Sequence, residues 1–191
     1  MKRTTGQFII DEGPNRDLII LTNDPSITAW GWAVVDTANT ILAAGCIKTT
    51  PEYKKRRIRK GDDTVRRVSE INQTLLRVIK HYKVSYLLTE LPHGSQNASA
   101  AVMIGIVTGI VQTLSDALEI GVEWYAEMDA KKCVLGKNSA SKQEMITAID
   151  KLYRVKWKMV KYQDEAIADA LAIHYTALKQ SNVLQLFRTM Q

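Results

Sequence analysis

Leu18-Ile19-Ile20-Leu21-Thr22-Asn23-Asp24-Pro25-Ser26 is the stretch on which the reading of this chain turns. Four apolar residues run together with no polar alternation, which marks a strand buried on both faces, as in an α/β sheet. Asp-Pro then signals a turn, so the strand closes on an acid. Downstream, Trp30-Gly31-Trp32-Ala33-Val34-Val35 and residues 41–47 read as two more strands around a turn at 36–39, giving a three-stranded meander with Trp30 and Trp32 in the core. Upstream, residues 1–17 show no sustained period and contain Gly6, Gly13, Pro14 and Asn15, so they read as a flexible lead-in to a domain over 18–191.

The second half alternates helices with strands. An amphipathic helix is expected over 62–82, capped by Asp62, with Val65, Val68, Ile71, Leu75, Val78 and Ile79 at helical spacing. A fourth strand over 83–90 also closes on an acid, Glu90. A long helix follows from Asn97 or Ser99 to about 118, with Ala98, Ala101, Gly105 and Gly109 spaced three or four apart. A fifth strand over 121–125 and helices over 129–135, 141–152 and from 164 onward complete the chain. This order predicts an α/β fold in which a five-stranded mixed sheet is flanked by helices.

Composition narrows the function. The chain has 191 residues and a net charge of +6, with a pI near 9.3, a balance that suits a polyanionic partner such as nucleic acid. Two cysteines, Cys46 and Cys133, and three histidines are scattered without zinc-ligand spacing, so any metal is expected on oxygen ligands and the thiols are expected to be buried. The apolar stretch 98–118 is broken by Ser99, Thr108, Gln112, Thr113, Ser115 and Asp116, and is expected to span no membrane. The N-terminus carries no secretory pattern, which predicts a cytoplasmic protein.

In open α/β sheets the site lies beyond the carboxyl ends of strands, where Asp24 and Glu90 stand. In Asp164-Glu165-Ala166-Ile167-Ala168-Asp169, Glu165 and Asp169 are four apart and share a helix face, which favours Glu165 over Asp164 as the companion of Asp169. Three or four gathered carboxylates repel one another, and a pair of hard divalent cations relieves that repulsion. Such a pair can stabilise the attacking and leaving oxygens of a phosphodiester displacement, which points to a nuclease. Singly, each acid also fits a plainer role: Asp24 a turn acid, Glu90 a surface acid, Asp164 a helix cap. Lys54, Lys55, Arg56, Arg57, Arg59 and Lys60 form a dense basic segment, expected as a loop that contacts phosphates, a solvated charged loop being the alternative.

These residues resemble the RuvC-like Holliday junction resolvases of the retroviral integrase and RNase H superfamily, over most of 18–176. The residues that carry the resemblance are the first strand with its Asp24-Pro25 turn, Glu90 with Asn97-Ala98 and the small-residue helix, the run Lys131, Val134, Gly136, Ser139 and Lys142, and the closing Asp169-Ala170-Leu171-Ala172-Ile173. The resemblance implies an RNase H-like fold and a structure-selective endodeoxyribonuclease that resolves four-way junctions. It implies catalytic roles for Asp24, Glu90, Glu165, Asp169 and Lys142, and two Mg2+ or Mn2+ ions held by Asp24, Glu90, Asp169 and one of Asp164 or Glu165. It implies DNA contacts from His93, Asn97, Lys131 and Lys137, with His93 where other members carry a junction-wedging aromatic. It further implies a homodimer through helix 97–118, matching a twofold substrate. The chain departs at position 166, where the family's second helix acid would fall and Ala166 stands instead. A related flap or branch nuclease, or a junction-binding protein with impaired catalysis, is the alternative reading; an actin-like ATPase ranks behind both.

Overall fold

The computed structural model describes residues 18–56 and 58–189, so the lead-in over 1–17 and Arg57 lie outside the described residues. Ile20–Asp24 (β1), Ala29–Val35 (β2) and Ile41–Lys48 (β3) form the expected meander. Tyr53–Arg56 (α1) and Lys60–Tyr82 (α2) lead to Tyr86–Leu91 (β4), then Ala98–Leu118 (α3) and Gly121–Ala126 (β5). Glu127–Leu135 (α4), Lys142–Leu152 (α5), Lys161–Gln180 (α6) and Asn182–Thr189 (α7) follow. The strands lie in the order β3-β2-β1-β4-β5. The meander pairs are antiparallel, whereas β4 runs parallel to both β1 and β5.

Strand geometry sends successive side chains to opposite faces, and β1 divides them cleanly. Ile20 joins Ala33, Val35, Leu88 and the α5–α6 residues Ile149, Ile167 and Leu171 in one core layer. Leu21 joins Trp30, Val34 and Leu87 beneath α2 and α3 in the other. Helices therefore cover both faces, and β1 is buried on each side as its unbroken apolar run requires. Trp30 is fully buried and donates its indole N–H to Asn23 Oδ1 at 3.1 Å.

Several local expectations shift. The basic segment is not simply a loop: Tyr53–Arg56 makes one helical turn and Lys60 opens α2. Asp62 is not the cap of α2 but lies in its first turn with Asp63, where the helix dipole favours acids. Asp63 is buried and accepts from the Glu52 N–H at 3.1 Å and from Arg66, while Val65 faces solvent at 69% exposure. Lys83 is the left-handed C-cap of α2, so β4 begins only at Tyr86. The final helix starts at Lys161, three residues before Asp164, and Asp164 Oδ1 accepts the Lys158 N–H at 2.8 Å. Cys46 and Cys133 are free thiols only partly buried, not core groups.

The α3 helix corrects the reading of its apolar stretch. With a mean hydropathy of 1.7 it is long and apolar enough to cross a membrane by length and composition, because its polar residues are uncharged apart from Asp116. Its C-terminal half packs on the sheet through Val107, Ile110, Val111 and Leu114. The small-residue stripe does not: Ala98, Ala101, Gly105 and Gly109 are exposed, and a methyl group placed on either glycine would meet nothing within 4 Å.

Candidate active site

Asp24 ends β1, and the parallel register sets Asn23 beside Thr89 of β4, so Glu90 stands one step further along, next to Asp24. Glu90 in turn pairs with Tyr125 of β5, and β5 ends at Ala126. Glu127, the first residue of α4, follows directly. Three neighbouring parallel strands thus present acids at their carboxyl ends, where helical crossovers leave an open crevice.

The fourth wall is α6. Gly31, the register partner of Asp24, lies so close to α6 that an added Cβ would sit 2.0 Å from the Ala166 carbonyl oxygen. Thr22 Oγ1 donates to the Ala170 carbonyl at 2.6 Å. These two contacts lay α6 across β1 and β2 and bring Asp169 over the strand ends, with only 13% of its side chain exposed. From the first turn of α5, Lys142 reaches back and ion-pairs with Asp169. Its position is held by a capping box in which Ser141 Oγ accepts the Glu144 N–H at 3.2 Å and Glu144 accepts from the Ser141 N–H at 2.8 Å.

The electrostatics follow from burial and crowding. Burial, then the charge of Asp169, pushes the Asp24 carboxyl up to about 7. Burial, then Asp24 and Asp169, pushes Glu90 up to about 8. Burial likewise raises Asp169, against the pull of Lys142. Lys142 is itself held above its ordinary value: burial works against its charge, but the Asp169 carboxylate outweighs it. Glu127 moves the other way, because Lys131 donates to it at 2.5 Å, with His93 Nε2 3.8 Å from its other oxygen. The negative charge of Glu127 nonetheless reaches Asp24, Glu90 and Asp169 alike.

A pH dependence results. Asp24 and Glu90 titrate near pH 4 in an unfolded chain but hold protons to about 7 and 8 when folded, so the folded state binds more protons between those limits. Stability of the metal-free protein is therefore expected to fall as pH rises from about 4 to about 8. Thermal melts in EDTA across that range check it: Asp24→Asn should flatten the slope, and identical profiles for both proteins would contradict the assignment.

Four carboxyl groups face two ammonium groups here, so Asp24 and Glu90 lack a cationic partner and retain protons instead, and every candidate donor is oxygen. That set fits a hard divalent cation. Among the described residues, no three His, Cys, Asp or Glu side chains converge as ligands in the metal-free arrangement. Lys142 and Lys131 occupy Asp169 and Glu127 instead.

Of the other expected residues, Glu165 is half-buried on α6, and the main charges acting on Asp24, Glu90 and Asp169 come from other groups. Asp164 is committed to the Lys158 N–H, which the four-residue spacing argument could not anticipate. Glu127 was missed because it lies beyond an expected strand end with no motif around it; its place as the first residue after the fifth strand was the available signal. Asn97 caps α3, accepting the Ala100 N–H at 3.1 Å. Lys137 ion-pairs with Glu144, and Arg59 pairs with Asp62 at 2.7 Å. Lys55 and Lys60 are exposed.

The family model described as "Crossover junction endodeoxyribonuclease RuvC" matches residues 20–177. The chain belongs to this family. The RuvC proteins of Rickettsia africae and Rickettsia conorii are 30% and 31% identical to it over 168 residues, covering 86% of this chain and 99% of each relative. Thermus thermophilus RuvC in complex with a Holliday junction substrate superposes with a TM-score of 0.67 at 20% identity, over 87% of this chain and 96% of that one. The yeast mitochondrial Holliday junction resolvase Ydc2 gives 0.63 at 12% identity, over 95% and 86%. The five-stranded mixed sheet flanked by helices is the RuvC and RNase H-like fold. RuvC nucleases are metal-dependent.

Proposed function

We propose that this chain resolves four-way DNA junctions by hydrolysing phosphodiester bonds at the cluster of Asp24, Glu90 and Asp169. The observation that carries the proposal is that Asp24, Glu90 and Asp169 are brought from β1, β4 and α6 near enough for their charges to act on one another, with Lys142 on Asp169. Asp24, Glu90 and Asp169 would hold Mg2+ or Mn2+, two per site, supplying the positive charge and activated water that phosphodiester hydrolysis requires. The strands fix the spacing of Asp24 and Glu90, and α6 closes the crevice over them. Lys131, Lys137 and the basic residues Lys54, Lys55, Arg56, Arg57, Arg59 and Lys60 supply cations for phosphates, independent of sequence. Exposed His93 and Asn97 stand on the loop between β4 and α3, beside the site. The chain would act where such DNA is found, in the cytoplasm of a bacterial cell or a phage-infected host.

The test is cleavage of a labelled four-way junction beside a plain duplex, with Mg2+ or EDTA, and with affinity measured across salt. Symmetric cutting of the junction alone, abolished by EDTA, is expected. Binding without cutting would leave a junction-binding protein, and equal cutting of flaps would broaden the substrate.

Lys142 supplies a cation that stabilises charge as it develops on the scissile phosphate. Lys142→Met is expected to cost on the order of 10²-fold in single-turnover cleavage with little change in binding. An unchanged rate with weaker binding would make Lys142 a phosphate anchor only.

A second copy of the chain best accounts for the exposed face of α3. Val102 is 57% exposed, and the open flank at Gly105 and Gly109 would let another helix approach closely. A dimer by sedimentation, dissociated by Gly105→Leu, is expected. A wild-type monomer at tens of micromolar would refute it.

A further inference from the structure

The strand ends of β1, β4 and β5 form one row, and the row holds three acids: Asp24, Glu90 and Glu127. On the facing helix Asp169 stands over this row, paired with Lys142. Ala166 is buried with its carbonyl against Gly31, and Asp164 is tied to the Lys158 N–H. Asp169 thus faces three acids of the strand-end row, the third of them at the start of α4. Glu127 does not belong to the solvent face of α4. Its carboxylate is two-thirds shielded, is gripped by Lys131 one helical turn along, and faces His93 from the loop after β4. Its charge acts on each of the other three acids.

Resting on the reading of this crevice as a metal-dependent nuclease centre, we propose that Glu127 is its fourth oxygen ligand, supplied from the strand-end row rather than by Asp164 or Glu165 of α6. Lys131 is the counterion that holds the Glu127 carboxylate while the centre is empty of cations. Drawing Glu127 into the centre frees the Lys131 ammonium at the crevice rim, where the scissile phosphate arrives. One residue thus couples filling of the site to presentation of a phosphate-binding cation. This would explain why Glu127 and Lys131 are placed four apart on α4, the helix that starts directly at the strand-end row.

Mn2+ binding to the DNA-free protein, followed by electron paramagnetic resonance of the free ion, tests the assignment without recourse to activity. The titrations are run in 0.5 M NaCl, which screens the contribution of exposed charges outside the crevice. Glu127→Gln is expected to weaken Mn2+ binding by at least about tenfold, and by no less in a Lys131→Met background, with a single cooperative melting transition in EDTA as proof of folding. Glu165→Gln and Asp164→Asn, folded by the same criterion, should bind as wild type does. A change below twofold in Glu127→Gln, or a tenfold loss in Glu165→Gln instead, overturns the proposal. Asp24→Asn separates the two levels of the argument: loss there with none in Glu127→Gln refutes Glu127 alone, whereas wild-type binding by Asp24→Asn refutes the metal centre itself.

Discussion

Asp24→Asn is expected to reduce junction cleavage on the order of 10³-fold or more while leaving junction affinity within about twofold of wild type. The carboxylate ends the most deeply buried strand of the sheet, beside Glu90, and the cation whose charge reaches it, Lys142, is paired with Asp169. Replacing it with an amide of the same shape removes one negative oxygen from a crowded, buried set. That relieves repulsion in the metal-free protein, so the variant should fold at least as well as wild type. On the proposed reading binding rests on the basic residues outside the crevice, and a less negative crevice repels the phosphate backbone less. Single-turnover cleavage with gel-shift titration of the same junction measures both quantities. Cleavage at the wild-type rate would take Asp24 out of the reaction, and lost binding would make it a structural residue.

Gly31→Val is expected to have the largest effect on the folded state. A Cβ at this position would lie 2.0 Å from the Ala166 carbonyl oxygen and 2.5 Å from its carbonyl carbon, both backbone atoms of α6. No side-chain rotation relieves such a contact; either α6 or β2 must shift. Overpacking of a core ordinarily costs about 1–3 kcal/mol, and a rigid backbone neighbour places this site at or above the top of that range. For a chain of this length that corresponds to a melting temperature lower by about 10 °C. The shift would also carry Asp169 and its partner Lys142 away from Asp24, so cleavage at a temperature where the variant remains folded should fall further than the folded fraction does. A melting temperature within about 2 °C of wild type, with full activity, would show that α6 slides freely over β2.

The two variants mark different levels of legibility. Asp24 is visible in the sequence because strand and turn are local: four apolar residues, Thr22 and Asn23, then an acid and a proline. Glu90 is visible for the same reason, at the end of a second apolar run. The capping residue Ser141 and the amphipathic phase of α2 are likewise local signals, although the first turn of that helix was displaced by two residues. The role of Gly31 is of another kind. In the sequence it is a glycine between two tryptophans. In the structure it is the point where helix and sheet backbones meet, and no pattern within a few residues of it could say so.

The sequence by itself determined the α/β class, the meander followed by helical crossovers, the two strand-ending acids, the basic character and the likeness to RuvC. These depend on residue type and on periods of two and 3.6, which the chain carries in every short window. Only the tertiary structure decided which acids share the crevice. Glu165 has the right spacing from Asp169 for a common helix face. Yet the rotation of α6 about its axis is set by Gly31, Thr22 and the core side chains beneath it, not by the spacing of its acids. Glu127 is 37 residues from Glu90 and 103 from Asp24 along the chain, and it reaches them through the parallel registers of β1, β4 and β5. Register and helix rotation are settled by packing between segments far apart in sequence, and that long-range packing is what placed Glu127 and Lys131 beside the acids the chain announces locally.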